Sequence, residues 1–471
     1  MNTQNAPLAS EIDAEASRNS AFYRAAWRWH FYAGLYVVPF LIMLAITGTL
    51  IMWSSVLYGR DGEGTKATPQ EIALPVSEQA AAALATVSDG TIKQYIAPKA
   101  DDLAAIFRVD TEDGSAYMVA IDPYTGDVAG NMKRRESWYE FFREIHGTLL
   151  IGVTGERMIE IAASLAMVLI ATGLYLWWPR GTGVLQSLAP NLALRGRPLW
   201  KSLHVTMGVW TSLILVVFLI TGLSWAGVWG SKFVQPWNTF PAEKWDNVPL
   251  SDLTHASLNH GVISEVPWAL EQTPMPASGS QAGLAGIPAG TPVTLDNVVG
   301  FAHQIGFDQR FQLHFPRGET GVWTIARDSM SNDSDDPYSD RTVHIDRYTG
   351  NVLADVSFAD YSVYAKAMAV GVAFHVGFMG IWNLILNTLF CLLIIFVCVS
   401  GVVMWWMRRP ASAGRLVAPS LPANMPLWQG AVLVGLILSL AFPLAGLTLI
   451  AVLALDLLIL SRIPVLKRAF S

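Results

Sequence analysis

The chain has 471 residues, 52% of them hydrophobic and only 14% charged, where a soluble globular chain carries about 25% charged residues. That shortfall excludes an ordinary soluble protein and points to several membrane spans, and a net charge of −6 argues against a nucleic-acid partner, whose binders are usually basic. Cys391 and Cys398 lie seven residues apart in one apolar run, out of disulfide reach on a helix; without CxxC or CxxCH there is no zinc ribbon, thioredoxin motif or c-type haem attachment, and two cysteines cannot hold a four-cysteine iron–sulfur cluster.

Residues 1–20 are polar and small and read as a disordered cytoplasmic tail rather than a signal peptide. Charge-free runs at 31–59, 161–179, 202–231 and 367–407 then place transmembrane helices within 21–59, 141–180, 201–231 and 367–409, since a span needs about 20 apolar residues. Residues 427–461 read as a hairpin of two short helices around Pro443 and Gly446, which makes six spans. Segment 180–201 carries Arg180, Arg195, Arg197 and Lys201, segment 408–426 carries Arg408, Arg409 and Arg415, and the tail carries Arg462, Lys467 and Arg468, all without an acid. The positive-inside rule puts these segments, and both termini, in the cytoplasm.

Residues 60–140 and 232–366 then lie outside. Both are acidic, with eight Lys/Arg against fourteen Asp/Glu in the first and eight against sixteen in the second. Each reads as a helix followed by strands, from the helical periodicity of 76–87 and the alternation of 116–121. Residues 272–292, rich in Pro, Gly, Ala and Ser, read as a loop inserted in the second domain.

The chain repeats itself. His30-x₃-Gly34 precedes Thr47-Gly48, and His204-x₃-Gly208 precedes Thr221-Gly222, with 18 residues from His to the second Gly in both. Ile121-Asp122-Pro123-Tyr124-Thr125-Gly126 matches Ile345-Asp346-Arg347-Tyr348-Thr349-Gly350. His146 and His375 follow, then Thr172-Gly173 with Trp177-Trp178 and Arg180, matched by Ser400-Gly401 with Trp405-Trp406 and Arg408. Residues 22–180 and 198–409 therefore read as two copies of a helix–outer domain–helix unit, related by a pseudo-twofold axis along the membrane normal.

Four of the nine histidines sit at helix ends, His30 and His204 on the inner side and His146 and His375 on the outer. Each pair offers two imidazoles to one iron from opposite faces of a flat macrocycle. Gly34 lies one turn past His30 and Gly48 five turns past it, so the three form one stripe with room beside the backbone, and His204, Gly208 and Gly222 repeat it. Two haems in layers about 27 Å apart by helix rise would carry electrons across the membrane. The plainer reading is an interfacial histidine with small residues marking helix packing; recurrence at four equivalent places weighs against it. No residue stands out as catalytic. His255, His260, His303, His314 and His344 read as surface or structural, Asp333, Asp335, Asp336 and Asp340 as a solvated loop rather than a cation site, Asp456 as snorkelling to the interface, and the tryptophan pairs as interfacial anchors. No GxGxxG follows a strand and no Walker A motif exists, so electrons must come from a quinol or a separate protein.

The stretches Trp27-Arg28-Trp29-His30-Phe31-Tyr32-Ala33-Gly34-Leu35, His146-Gly147-Thr148-Leu149-Leu150-Ile151-Gly152 and Thr172-Gly173-Leu174-Tyr175-Leu176-Trp177-Trp178-Pro179-Arg180, with the paired Tyr-Thr-Gly turns, resemble the PepSY-associated transmembrane family over most of residues 20–410. The long second outer domain and the C-terminal hairpin depart from its pattern. The resemblance implies a polytopic α-helical protein of the bacterial inner membrane with two periplasmic α+β PepSY-like domains, a tandem duplication plus the hairpin. It further implies two b-type haems on His30, His146, His204 and His375, and an oxidoreductase that reduces a periplasmic ferric siderophore and releases iron. The alternatives are a non-enzymatic membrane-anchored module that binds a periplasmic protein or peptide, and a haem protein that passes electrons to a periplasmic partner protein.

Overall fold

The computed structural model describes residues 6–180, 183–237, 247–259, 265–328, 330–410, 416–419, 429–455, 458–459 and 462–463. His260 and Asp456 fall outside these. Along the chain run α1 (Ala6–Tyr58), α2 (Val76–Ala85), β1 (Thr91–Ile96), β2 (Ala105–Asp110), β3 (Ala116–Ile121), β4 (Val128–Lys133), α3 (Trp138–Thr148), α4 (Val153–Trp177) and α5 (Arg197–Leu223). There follow β5 (Leu250–Thr254), β6 (Pro274–Pro276), α6 (Leu295–Gln304), β7 (Gln312–His314), β8 (Val322–Arg327), β9 (Arg341–Asp346), β10 (Val352–Ser357), α7 (Val363–Val376), α8 (Ile381–Arg408), α9 (Gln429–Ala441) and α10 (Pro443–Leu455). They divide into two compact units, one of residues 1–46, 147–232 and 388–471, the other of 47–146 and 233–387.

Four helices are long and apolar enough to cross a membrane: Ala21–Tyr58, Val153–Trp177, Arg197–Leu223 and Ile381–Arg408. The hairpin helices α9 and α10 have 13 residues each, about 20 Å of rise against a hydrocarbon core of about 30 Å. Residues 6–20, expected as a disordered tail, extend α1 backwards; their sequence is rich in alanine and glutamate, good helix formers. The two stretches expected as single helices at 141–180 and 367–409 are each interrupted just past a histidine. Leu149, Leu150 and Gly152 adopt left-handed conformations between α3 and α4, as do Gly377 and Gly380 between α7 and α8.

In the first unit, small residues let the helices approach closely: Ala163 and Ala166 of α4 pack with Val37 of α1, Leu219 and Leu223 of α5, and Ala445 of α10. Glu160 of α4, buried, accepts the backbone amides of Trp229 at 2.8 Å and Val228 at 3.3 Å. Glu156 accepts that of Gly227 at 2.6 Å, so two carboxylates hold the turn that follows α5. Of each tryptophan pair, the first ties down the next loop: Trp177 Nε1 donates to the Ser187 carbonyl at 3.2 Å and Trp405 Nε1 to that of Leu416 at 2.7 Å. The second, Trp178 and Trp406, faces outwards.

In the second unit, the two outer segments share one sheet of order β10-β9-β8-β7-β1-β2-β3-β4. The order is symmetric about the β7–β1 junction, where Gln94 pairs with His314, Tyr95 with Leu313 and Ile96 with Gln312. Each half is a helix followed by four antiparallel strands. One face is apolar and carries α2 and α6 over Phe107, Val119, Leu313, Ile325 and Val343. The other is equally buried, polar across its middle with Gln94, Arg108, Gln312, His314, Thr324 and His344 and apolar beside them with Ile96, Ile106, Met118 and Ala120. The recurring Tyr-Thr-Gly segments form the same turn: Asp122 Oδ1 accepts the amide of Tyr124 at 2.9 Å and Asp346 Oδ1 that of Tyr348 at 2.8 Å, and Gly126 and Gly350 close it in the left-handed region that favours glycine. Residues 272–292, expected as a loop, are more ordered than that. They contain β6, which pairs with β5, a bridge from Leu284 to Val352, and Ile287, which is buried in the apolar core.

Candidate functional site

His146 and His375 lie near the ends of α3 and α7, whereas His30 lies within α1 and His204 two turns into α5 rather than at helix ends; three of the four are held in one manner. His30 Nδ1 lies 3.0 Å from Thr172 Oγ1, and that hydroxyl spends its proton on the Val168 carbonyl at 2.7 Å. It therefore accepts from an Nδ1–H. His204 Nδ1 lies 3.0 Å from the Val397 carbonyl and 2.9 Å from Ser400 Oγ; a carbonyl only accepts, so Nδ1 again carries the hydrogen. His146 Nδ1 lies 2.8 Å from Thr47 Oγ1. A neutral imidazole with its proton on Nδ1 has its lone pair on Nε2, the state a metal ligand needs, and a partner on the far nitrogen is the usual device for orienting such a ligand.

The glycine after each hydroxyl residue gives the ring its space. A Cβ at Gly173 would stand 3.2 Å from His30 Cε1, one at Gly401 3.4 Å from His204 Cε1, and one at Gly48 3.4 Å from His146 Cε1. Ordinary carbon contacts begin near 3.5 Å, so a side chain at Gly173 would press on the His30 ring, and one at Gly401 or Gly48 would just touch its ring. Thr172-Gly173, Ser400-Gly401 and Thr47-Gly48 read in the sequence as repeat markers; folded, they clamp imidazoles. The other glycines of the expected stripe differ. A Cβ at Gly208 would meet nothing within 4 Å, and one at Gly34 only Leu169 at 3.8 Å, which leaves open space one turn past His204 and His30. Gly222 lies on α5, 18 residues past His204.

His375 ends α7. Asn383 and Asn387, both fully buried on α8, donate to the Phe374 carbonyl at 3.0 and 2.5 Å, and Asn387 also reaches that of His375 at 3.2 Å. Gly377 caps the helix in the left-handed conformation. These asparagines went unnoticed in the sequence; polar residues inside an apolar helix were the available signal. His30 and His204 lie within electrostatic reach of each other, and so do His146 and His375.

Each pair supplies two nitrogen donors. Among the described residues no group of three or more His, Cys, Asp or Glu could hold a metal ion, so neither pair completes the four-ligand shell of a structural zinc. Two axial imidazoles do suit an iron whose other positions a macrocycle fills, and the open space at Gly34 and Gly208 suits a flat ring. The residues present fit that group.

The remaining histidines do other work. His255, His314 and His344, expected as surface or structural residues, are buried. His255 Nδ1 donates to the Thr273 carbonyl at 2.8 Å, its Nε2 faces His344 Nε2 at 2.8 Å, and His344 Nδ1 bonds Thr324 Oγ1 at 2.9 Å. Since His255 Nδ1 carries its hydrogen, the proton between the rings belongs to His344. Burial holds His255 down to about 4 and His314 to about 3, and burial with the neighbouring His255 depresses His344 further. His303 is exposed, as expected of a surface residue, and bonds the Phe307 carbonyl at 2.9 Å. The acidic stretch splits: Asp335 and Asp336 are exposed, whereas Asp333 and Asp340 are buried, Asp333 against Arg310 at 2.8 Å and Gln312 at 2.9 Å. Asp333 thus neutralises an arginine inside the sheet domain instead of standing in a solvated loop.

The family model of the PepSY-associated TM region matches residues 27–408. No curated protein matches the chain.

Proposed function

From the premise that the chain belongs to the family of the PepSY-associated TM region, we propose that it is an oxidoreductase of the bacterial inner membrane that carries electrons outwards through two b-type haems to a periplasmic ferric siderophore. Haem would be held by His30 with His204 and by His146 with His375, and would supply one-electron transfer. The observation that carries the reading is the shared clamp: His30, His146 and His204 each have Nδ1 tied to a Thr or Ser hydroxyl, and in His30 and His204 this puts the ring hydrogen on Nδ1 and the lone pair on Nε2.

The chain's part is to fix tautomer and ring orientation before anything binds. Thr172 and Ser400 accept the Nδ1 hydrogens of His30 and His204, Thr47 fixes the His146 ring, and Gly173, Gly48 and Gly401 leave the rings room beside the helix backbone. Asn383 and Asn387 secure the helix end that bears His375. A quinol gives up two electrons and two protons to become a quinone, and each electron converts one ferric chelate to ferrous iron and free chelator, so one quinol serves two chelates. Ferrous iron binds the hard oxygen donors of a siderophore more weakly, which releases it. In this reading both termini and the basic loops are cytoplasmic, the sheet domain is periplasmic, and the two halves of residues 22–409 are copies of one unit.

A reduced-minus-oxidised visible spectrum of the purified protein tests the cofactor: a b-type signal is expected, and its absence after haem supply would end the reading. Stopped-flow mixing of the dithionite-reduced protein with a ferric siderophore tests the substrate. Reoxidation by oxygen but not by ferric chelates would leave the haems and remove the siderophore.

A further inference from the structure

The two copies differ in charge at a place that flanks the inner histidines. Arg180, at the end of α4, lies over the rings of Tyr23 and Tyr175, each 5.0 Å away. Arg408 occupies the matching position at the end of α8, 228 residues on, just as Ser400 matches Thr172. The residue matching Tyr23, by the His30–His204 offset of 174, is Arg197. Where the first copy sets a cation on an aromatic ring, the second sets two cations side by side. Arg197 Nε reaches the carbonyl of Met404, one turn before Arg408, at 3.4 Å, and the two guanidinium groups feel each other's charge. Both are half-buried. The segments 180–201 and 408–426 contain no acid, and among the described residues the partners of these two arginines are carbonyls and rings.

Their place is as telling as their charge. Arg197 lies seven residues before His204 on α5, and Arg408 seven after Gly401, the glycine that cradles the His204 ring. Both are two turns, about 10 Å, from the imidazole and at the same end of antiparallel helices. The Arg408 guanidinium lies over Trp27 at 4.9 Å and Phe31 at 5.8 Å, residues that bracket His30. Arg197 also opens α5, whose N-terminus has no side-chain cap, so free amides and the helix dipole add to the positive field. Two half-buried guanidinium groups held together without a carboxylate call for an anion between them, and a carboxylate matches their planar donor fork.

We propose that Arg197 and Arg408 form a carboxylate clamp that grips the propionates of the inner macrocycle, the one held by His30 and His204. The clamp rests on the two-haem reading. It anchors the ring edge at the cytoplasmic side and favours the reduced state, since a cation offsets the negative charge gained on reduction. The clamp is one-sided, because at the same inner end the first copy sets its own arginine, Arg180, on Tyr23.

The test is redox potentiometry of the full-length protein in nanodiscs, wild type against Arg197→Tyr, which restores the first copy's cation–ring pair, and Arg408→Gln. The midpoint of one haem should fall by about tenfold in its reduction equilibrium, about 59 mV for one electron. That haem should be the one lost in His204→Ala, while the other stays put. Unchanged midpoints in a haem-loaded Arg197→Tyr protein would overturn the clamp, as would a shift confined to the haem lost in His375→Ala. If replacing phosphatidylglycerol by phosphatidylcholine shifts the wild type equally and Arg197→Tyr adds nothing, the anion is a lipid phosphate and the clamp is wrong. A wild type with no haem at all would sink the proposed function first and the clamp with it, a result distinct from unmoved midpoints.

Discussion

Glu265 holds together a buried charge cluster, and replacing it with glutamine should cost more than any surface charge change in this protein. Its Oε1 accepts from Arg60 Nη2 at 3.0 Å and also from Arg134 Nη2, and its Oε2 accepts from Arg134 Nη1 at 3.0 Å. Glu265, Arg60, Arg134 and the neighbouring Asp61 are exposed by 6, 4, 1 and 2%, so water screens none of them. Burial alone would push the Glu265 carboxyl up, but Arg134 and then Arg60 outweigh it and hold it well below the usual range. Glutamine keeps the shape and removes one charge, which leaves two guanidinium groups facing the single carboxylate of Asp61. Breaking a buried pair in this way costs about 3–5 kcal/mol, a large share of a typical total of about 5–15 kcal/mol. Urea unfolding of the full-length protein in detergent, followed by tryptophan fluorescence, should show that loss. Asp102→Asn provides the control, since its pair with Lys66 at 2.6 Å is exposed and such pairs contribute about 0–1 kcal/mol. A Glu265→Gln loss no larger than that of Asp102→Asn would refute the idea that the cluster is sealed from water.

Thr172→Val should weaken haem binding about 10- to 100-fold, the usual effect of removing a ligand's outer partner; equilibrium haem titration reads it, and unchanged affinity would mean that the hydroxyl does not orient His30. Ser400→Ala should cost less, because the Val397 carbonyl still accepts from His204 Nδ1. Gly208→Phe should abolish the inner haem signal while leaving the melting temperature near that of wild type, since the space beside Gly208 is open; retention of both signals would show that no ring lies there. The sheet domain should lose stability as pH falls from about 6.5 towards 4. His255 is held at about 4 when folded against 6.5 for the free side chain, so the unfolded chain binds more protons across that window and stability is complete only above it. The share of His255 is on the order of 3 kcal/mol, and a melting temperature flat from pH 7 to pH 4.5 would contradict it.

Some of this architecture is written plainly in the sequence and some is not. The four spans announce themselves because lipid demands an uninterrupted apolar run. The breaks after His146 and His375 do not, since Leu149 and Leu150 carry no turn signature and take left-handed conformations through their context. The strands alternate as expected, yet nothing in Gln94, Tyr95 and Ile96 says that their partners lie beyond residue 310. His314, Thr324 and His344 sit in register on adjacent strands, and alternation puts them on one face; the polar character of that face disguised its burial. The four histidines stood out through repetition, but their hydroxyl partners did not, because a Thr or Ser beside Gly in an apolar helix reads equally well as packing.

The symmetric sheet has a consequence for how such a molecule can change. If the two halves were separate identical subunits, each would meet its copy along the β1–β7 edge, and every substitution would appear twice. Joined in one chain, the halves can diverge independently while the edge stays closed. The stretch that bears β5, β6 and His255 lies in one half alone, and so does the arginine that stands where the other half keeps Tyr23. Each pair of matching histidines thereby stands between flanks that are free to differ, so the two sides of one site need not stay alike.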